Sequence, residues 1–248
     1  MAFKNHVPNI ITLLNLASGL IALVFAFNTN YQYAFMWVAI GIFFDFWDGF
    51  AARVLKAQSP IGLQLDSLAD MVTSGVVPGL VMYQMLSSIA ENRVENVQMG
   101  TMEQMLYIWV LPFTGFIITL ASCYRLAKFN VDTRQTDSFI GLPTPANALF
   151  IISLAVIQSL SDGDGWVFDA LSNPFVLVAI SLLSAFMLNS EIRLFALKIK
   201  YFNWETNKIQ LIFLVISVIL LAFLQYTAIP LIILFYVGLS AATAKYRA

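Results

Sequence analysis

The sequence has one cysteine, one histidine and few charged residues. Cys123 alone cannot form an intramolecular disulfide or a cluster of thiolate metal ligands. His6 alone excludes a histidine-rich metal site and argues against a Ser-His-Asp triad. Charged residues make up 11% of the 248 residues, against about 25% in an ordinary soluble domain. A soluble protein of this size could not cover its apolar surface with so few charges.

Apolar residues dominate what is present. They make up 60% of the chain, and the mean hydropathy is +0.80. The formal net charge of -1 offers no basic surface to nucleic acid. We therefore predict one integral membrane domain over residues 1–248, an all-α polytopic helix bundle with no nucleic-acid partner.

Eight stretches are candidates for transmembrane helices, because about 20 mostly apolar residues cross a hydrocarbon core. The last two are separated by only four residues, which predicts a tight helical hairpin. The predicted spans are 10–28, 33–53, 64–89, 105–127, 145–161, 173–190, 208–224 and 229–244.

The basic residues are distributed unequally between the two sides that eight spans would create. Twelve of the 13 Lys and Arg fall on the side of the termini and the even-numbered connections. Only Arg93 falls on the other side. Basic residues favour cytoplasmic loops, so we predict that both termini are cytoplasmic.

Four aspartates lie within or beside the second and third spans. A charged side chain at the centre of a membrane helix costs about 2.5–3.5 kcal/mol on insertion scales. Asp45 and Asp48 are three residues apart, and Asp66 and Asp70 are four apart, so each pair shares one helix face. Because the connection between the spans is short, the two pairs should meet near the cytoplasmic boundary.

Four neighbouring carboxylates repel one another unless protons or cations neutralise them. Hard divalent cations prefer oxygen ligands, so Mg²⁺ or Mn²⁺ suits such a site. Gly49 and Gly62 leave room for a phosphate ligand, and Arg53 could pair with phosphate. Taken singly, these glycines could equally be helix-packing contacts, and Arg53 a membrane anchor.

The segment matches the pattern D-x2-D-G-x2-A-R-x8-G-x3-D-x3-D at all eight defined positions. This pattern resembles the signature of the CDP-alcohol phosphatidyltransferases. The matching residues are Asp45, Asp48, Gly49, Ala52, Arg53, Gly62, Asp66 and Asp70.

The resemblance implies a reaction in which an alcohol attacks the lipid-side phosphorus of a CDP-lipid and CMP leaves. It implies that Asp45, Asp48 and Asp66 bind two divalent ions, Mg²⁺ or Mn²⁺. Asp70 would contribute to the metal site and act as the general base. The resemblance also implies a homodimer, and a CDP-lipid pocket lined by Gly49, Ala52, Arg53 and Gly62.

Asn9 and Thr12 share one helix face near the cytoplasmic end of the first span. Both are candidates for contact with the nucleotide of the CDP-lipid. Helix capping and interhelical hydrogen bonding are the alternative explanation.

Three further stretches resemble the phosphatidylserine synthases of this family: residues 8–19, 66–83 and 124–147. This resemblance implies that CDP-diacylglycerol and L-serine are the substrates. A serine pocket needs a cation for the carboxylate and acceptors for the ammonium group. We predict Arg125 for the carboxylate, assisted by Lys128 and Asn130. Anchoring at the membrane surface is the alternative role for the two basic residues.

Other functions fit the sequence less well. A carboxylate-lined ion or metal transporter would need acidic groups near mid-membrane, but these aspartates are tied to one end. Membrane prenyltransferases separate their two Asp-rich motifs more widely. An enzyme of the same family with glycerol 3-phosphate or inositol phosphate as acceptor is the closest alternative. Residues 173–244 are predicted to be apolar scaffold helices.

Overall fold

The structure, a computed structural model, describes residues 6–96, 100–132, 138–161, 163–195 and 204–244. The described chain is mainly helical. Its α-helices are α1 (Val7–Phe27), α2 (Tyr31–Val54), α3 (Pro60–Asp70), α4 (Val77–Asn96), α5 (Thr101–Met105), α6 (Ile117–Val131), α7 (Thr144–Leu160), α8 (Trp166–Leu171), α9 (Pro174–Asn189), α10 (Trp204–Leu224) and α11 (Ala228–Ala244).

Irregular turns interrupt three of the long helical segments. A π-helical turn at Met71–Val76 joins α3 to α4. A second π-helical turn at Leu106–Val110 and a 3-10 turn at Pro112–Phe116 lie between α5 and α6. A 3-10 turn at Gln225–Thr227 separates α10 from α11.

The helices confirm an integral membrane protein by their length and composition. Five helical segments of the described chain are long and apolar enough to cross a membrane, and Thr144–Leu160 and Pro174–Asn189 are shorter apolar helices. The five are Val7–Phe27, Tyr31–Val54, Pro60–Asn96, Thr101–Val131 and Gln210–Ser240. The count of eight spans and the cytoplasmic position of both termini stay predictions. Six basic residues used for that orientation lie outside the described residues: Lys4, Arg134, Lys198, Lys200, Lys245 and Arg247.

The predicted hairpin is present at the end of the chain. The rings of Phe213 and Phe235 stack with centroids 5.9 Å apart. A continuous helix would separate two residues at that spacing by about 33 Å, so the chain reverses between them. Gln225, at a positive φ of 46°, lies in the turn.

The face that α1 buries is small and polar, and its exposed face is large and apolar. Thr12, Asn15 and Ser18 are buried, while Leu13 and Val24 are exposed. This is the reverse of a soluble amphipathic helix, and it is expected where lipid surrounds the bundle and polar groups face inward. Small residues at the interface also let neighbouring helices approach closely.

Two helices approach closely around Thr73 in the first π-helical turn. A Cβ atom at Gly19 of α1 would overlap Thr73 Oγ1 and lie 3.0 Å from its Cα. A Cβ at Gly41 of α2 would lie 2.7 Å from Thr73 Cγ2. Thr73 Oγ1 donates a hydrogen bond to the carbonyl oxygen of Asn15, at 3.2 Å. Two glycines therefore allow α1 and α2 to pack against the turn that follows α3.

The predicted all-α architecture is confirmed for the described residues, with one short addition, a two-stranded antiparallel ladder. Strands β1 (Ser138–Ile140) and β2 (Arg193–Phe195) pair with Phe139 opposite Leu194. Gly141 follows β1 with a φ of 74°, and a side chain there would meet the carbonyl oxygen of Leu188. The ladder ties the connection before α7 to the end of α9.

We predict that Gly19→Ala destabilises the protein by about 1–3 kcal/mol, the usual cost of overpacking. Alanine stabilises a helix relative to glycine, so the matched control is Gly238→Ala in α11, where an added Cβ meets nothing within 4 Å. The measurement is thermal unfolding of both variants in detergent. Equal stability of the two variants would contradict the close packing at Thr73.

Candidate functional site

The predicted meeting of the aspartate pairs is present. Asp45 and Asp48 lie one turn apart near the end of α2, and Asp66 lies in α3. One carboxylate oxygen from each of these three residues lies within 4.8 Å of the others. The short connection between α2 and α3 brings the carboxylates together.

Helix α1 supplies hydrogen-bond donors to both pairs. Thr12 Oγ1 donates to Asp48 Oδ2 at 2.6 Å. Asn15 Nδ2 donates to Asp70 Oδ1 at 3.1 Å. Both donors are buried in the bundle. The buried polar face of α1 is therefore explained by the carboxylates that it contacts.

The carboxylate oxygens of the three aspartates are suitable ligands for a divalent cation. Ionised carboxylates only accept, and two neighbouring ones cannot satisfy each other. Asp66 Oδ1 is buried and has no hydrogen-bond partner among the described residues. A hard cation bound by oxygen atoms would satisfy this atom and offset the like charges. Asp45, Asp48 and Asp66 are the residues that would hold it.

Asp70 is placed differently from the other three aspartates. It is the last residue of α3, directly before the π-helical turn. Its carboxylate is outside the three-oxygen group and contacts Asn15. It also interacts electrostatically with Arg125 of α6. A π-helical turn changes the direction of side chains within a helix, and such turns are frequent at functional sites.

A cavity of about 570 Å³ opens beside Asp48 and Asp66. Its size is that of an ordinary small-molecule site. All six residues predicted to contact the CDP-lipid line it: Asn9, Thr12, Gly49, Ala52, Arg53 and Gly62.

The start of α3 shapes one wall of this cavity. Ser59 Oγ accepts a hydrogen bond from the backbone N–H of Gly62 at 3.0 Å and so caps the helix. A Cβ at Gly62 would lie 3.2 Å from Asn9 Oδ1. The glycine therefore allows α1 to approach the start of α3.

The three residues predicted to bind serine have different surroundings. Arg125 is buried, with 7% of its surface exposed, and its Nε has no partner among the described residues. Lys128 Nζ lies 3.8 Å from Glu191 Oε1. Asn130 exchanges hydrogen bonds with Ser67, its Nδ2 lying 2.9 Å from the Ser67 hydroxyl. Only Arg125 thus has an unsatisfied polar atom facing the interior. The stretch 124–147, whose resemblance suggested the acceptor pocket, includes residues 133–137, which lie outside the described residues.

Two polar residues of the site were not assigned a role from the sequence. Asn15 is one turn beyond Thr12, and the sequence left it open between nucleotide contact and interhelical hydrogen bonding; in the structure it donates to Asp70. Asn189 ends α9 and donates to the carbonyl oxygen of Ala121 in α6, at 3.1 Å. No local pattern marks Asn189, because its partner is 68 residues away.

Comparison with known proteins identifies the family. A family model of CDP-alcohol phosphatidyltransferase matches residues 5–186. The chain is 34% identical over 155 residues to a CDP-diacylglycerol–serine O-phosphatidyltransferase of Bacillus subtilis (strain 168), covering 61% of this chain and 76% of the relative.

More distant relatives carry similar names. A CDP-diacylglycerol–serine O-phosphatidyltransferase of Mycobacterium bovis is 33% identical over 170 residues, or 64% of this chain. The match spans only about half of that relative, 51% of its length. An archaetidylserine synthase of Methanothermobacter thermautotrophicus is 27% identical over 178 residues, 71% of this chain and 65% of the relative. The family model covers most of the chain, and the chain therefore belongs to the CDP-alcohol phosphatidyltransferase family.

Proposed function

We propose that this protein transfers the phosphatidyl group from CDP-diacylglycerol to the hydroxyl of L-serine, giving phosphatidylserine and CMP. The observation that carries the proposal is the group of three carboxylates beside a cavity of about 570 Å³. The names of the relatives support serine as the acceptor.

The cavity is proposed to hold the cytidine and diphosphate of CDP-diacylglycerol. Arg53 would pair with a phosphate oxygen, because its guanidinium can form two parallel hydrogen bonds. Gly49, Ala52 and Gly62 have no side chain or only a methyl group, so the backbone of the cavity wall can approach the ligand. Asn9 and Thr12 would bound the opposite side from α1.

Asp45, Asp48 and Asp66 are proposed to hold one or two divalent cations, Mg²⁺ or Mn²⁺, with Asp70 contributing. When bound, such ions neutralise charge on the diphosphate during phosphoryl transfer. Thr12 fixes the Asp48 carboxylate by its hydrogen bond at 2.6 Å.

Asp70 is proposed to accept the proton of the serine hydroxyl. The hydroxyl oxygen attacks the lipid-side phosphorus, and the bond from that phosphorus to the bridging oxygen breaks. CMP leaves with the electron pair of that bond, while the proton moves to Asp70. Asn15 orients the carboxylate by donating to Oδ1. Arg125 would hold the serine carboxylate beside this base.

The aspartate end of the bundle is proposed to face the cytoplasm, and in a bacterium the membrane would be the inner one. Arg53, Arg125 and Lys128 lie near the aspartates at the ends of α2 and α6, whereas Arg93 lies in the last turn of α4. This asymmetry supports the orientation. A homodimer is proposed from the family resemblance.

The direct test uses purified protein in mixed micelles with CDP-diacylglycerol and Mg²⁺ or Mn²⁺. Serine, glycerol 3-phosphate, inositol phosphate and ethanolamine are offered separately while CMP release is followed. We expect CMP release with serine, phosphatidylserine as product, and loss of activity with a chelator. Release with another alcohol alone would refute serine as acceptor; no release from folded protein would refute the transferase.

We predict that Asp70→Asn lowers kcat by roughly 10²–10⁴-fold, the usual contribution of a general base. Binding of CDP-diacylglycerol should persist, because an asparagine oxygen can still accept from Asn15. The matched control is Asp164→Asn, an exposed aspartate outside the site. Turnover near that of the unaltered protein would remove Asp70 as the base.

We predict that Arg125→Ala raises the KM for serine roughly tenfold or more, as expected when a charged hydrogen bond is lost. The KM for CDP-diacylglycerol should change little. Arg53→Ala is the reciprocal control, because Arg53 lines the larger cavity. It should raise the KM for CDP-diacylglycerol instead. Equal changes of both KM values in Arg125→Ala would indicate an anchoring or folding role.

A further inference from the structure

A second, much smaller cavity lies next to Arg125 and is closed by the end of α9. Its volume is about 10 Å³, enough for one water molecule or one ammonium group. The residues around it come from α6, β1 and the end of α9: Arg125, Lys128, Phe129, Ile140, Leu188, Asn189 and Ser190.

Two polar atoms around this cavity are buried without a partner among the described residues, Arg125 Nε and Asn189 Oδ1. The orientation of the Asn189 amide follows from its contacts. Its Nδ2 donates to two carbonyl oxygens, those of Ala121 at 3.1 Å and Ala185 at 3.2 Å. A flipped amide would place oxygen against oxygen, so the unpaired atom is the acceptor.

The cavity thus has an unused donor from Arg125 and an unused acceptor from Asn189. Buried polar atoms are rarely left unpaired, so each of these two atoms calls for a partner, either a water molecule or a ligand. A zwitterion would satisfy both atoms if its ammonium group filled this cavity while its carboxylate contacted Arg125 from outside it; a single bridging water is the alternative.

The charges around the cavity agree with this chemistry. The guanidinium of Arg125 interacts with Asp70, and Lys128 pairs with Glu191 at 3.8 Å. The carbonyl end of α9, a helix of 16 residues, carries partial negative charge at Asn189. This end favours a cation, while Arg125 favours an anion beside it.

We propose that Asn189 is a specificity-determining residue that binds the α-ammonium group of an α-amino acid acceptor. This inference rests on the proposed function. With the carboxylate on Arg125 and the ammonium on Asn189 Oδ1, the hydroxyl of serine extends toward Asp70. Three groups on one α-carbon then meet three side chains from α6, α9 and α3. Discrimination arises because an acceptor without the ammonium group leaves Asn189 Oδ1 unpaired.

The test compares L-serine with 3-hydroxypropanoate, the same molecule without its amino group. The measured quantity is the ratio of kcat/KM for the two acceptors, from CMP release in mixed micelles. Where 3-hydroxypropanoate is not turned over, its inhibition constant against serine replaces its kcat/KM. Asn189→Ala should raise the serine KM roughly tenfold and lower the preference for serine by the same factor.

Asn189→Asp should change the preference in the opposite direction, because a carboxylate attracts the ammonium group and repels the purely anionic analogue. This variant places an oxygen atom against the carbonyl oxygens of Ala121 and Ala185, so the ratio is measured only on protein that folds. If neither variant folds, the unaltered protein supplies the test, because equal affinity for serine and 3-hydroxypropanoate would overturn the proposal. Asn173→Ala is the matched control, since Asn173 caps the other end of α9 through the N–H of Phe175. Its preference ratio should equal that of the unaltered protein.

An unchanged preference ratio in both Asn189 variants would overturn the proposal, whatever the loss of rate. Asn189 would then only join α6 to α9 or hold a buried water. Failure of the proposed function is distinguishable, because it appears in the unaltered protein. Unaltered protein that releases CMP only with another alcohol refutes serine, and with it this role of Asn189.

Discussion

The bundle is organised by the need to satisfy four carboxylates in a largely apolar interior. Each aspartate would be costly in a membrane without a partner. Thr12 and Asn15 supply donors from α1, one to each aspartate pair. One carboxylate oxygen from each of Asp45, Asp48 and Asp66 lies within 4.8 Å of the others. The need to pair these carboxylates therefore accounts for two features, the polar buried face of α1 and the proximity of α2 to α3.

Close packing around Thr73 enforces this arrangement. Thr12 and Asn15 can contact the aspartates only if α1 lies near α2 and α3. Gly19 and Gly41 permit that approach, and Thr73 uses its hydroxyl to bond the backbone of Asn15. Asp70, the last residue of α3, lies outside the three-oxygen group and accepts its hydrogen bond from Asn15. The two carboxylates of α3, Asp66 and Asp70, therefore have different surroundings. This suits the two different tasks proposed for them, metal binding and proton transfer.

Local spacing made part of this site predictable from the sequence. The spacing of the aspartates predicted shared faces, and the short connection predicted their meeting. Asn9, Thr12 and Gly62 were predicted beside the same ligand, and they line the same cavity. Contacts between distant helices were not predictable. The pairing of Lys128 with Glu191 and of Asn130 with Ser67 depends on how α6 packs. The ladder β1–β2 and the position of Asn189 likewise join segments far apart in the chain.

In the proposed function, Arg125 connects the chemistry of the site to the choice of acceptor. Its guanidinium interacts with Asp70 on one side and lines the small cavity with Asn189 on the other. An acceptor carboxylate bound there adds negative charge beside Asp70, and it does so only when the acceptor is in place. The electrostatic surroundings of the proposed base therefore depend on the acceptor itself. On these proposals, Arg125 contributes both to recognition of the acceptor and to the surroundings of the base, so we expect a change of acceptor to need substitutions on α6 as well as on α9.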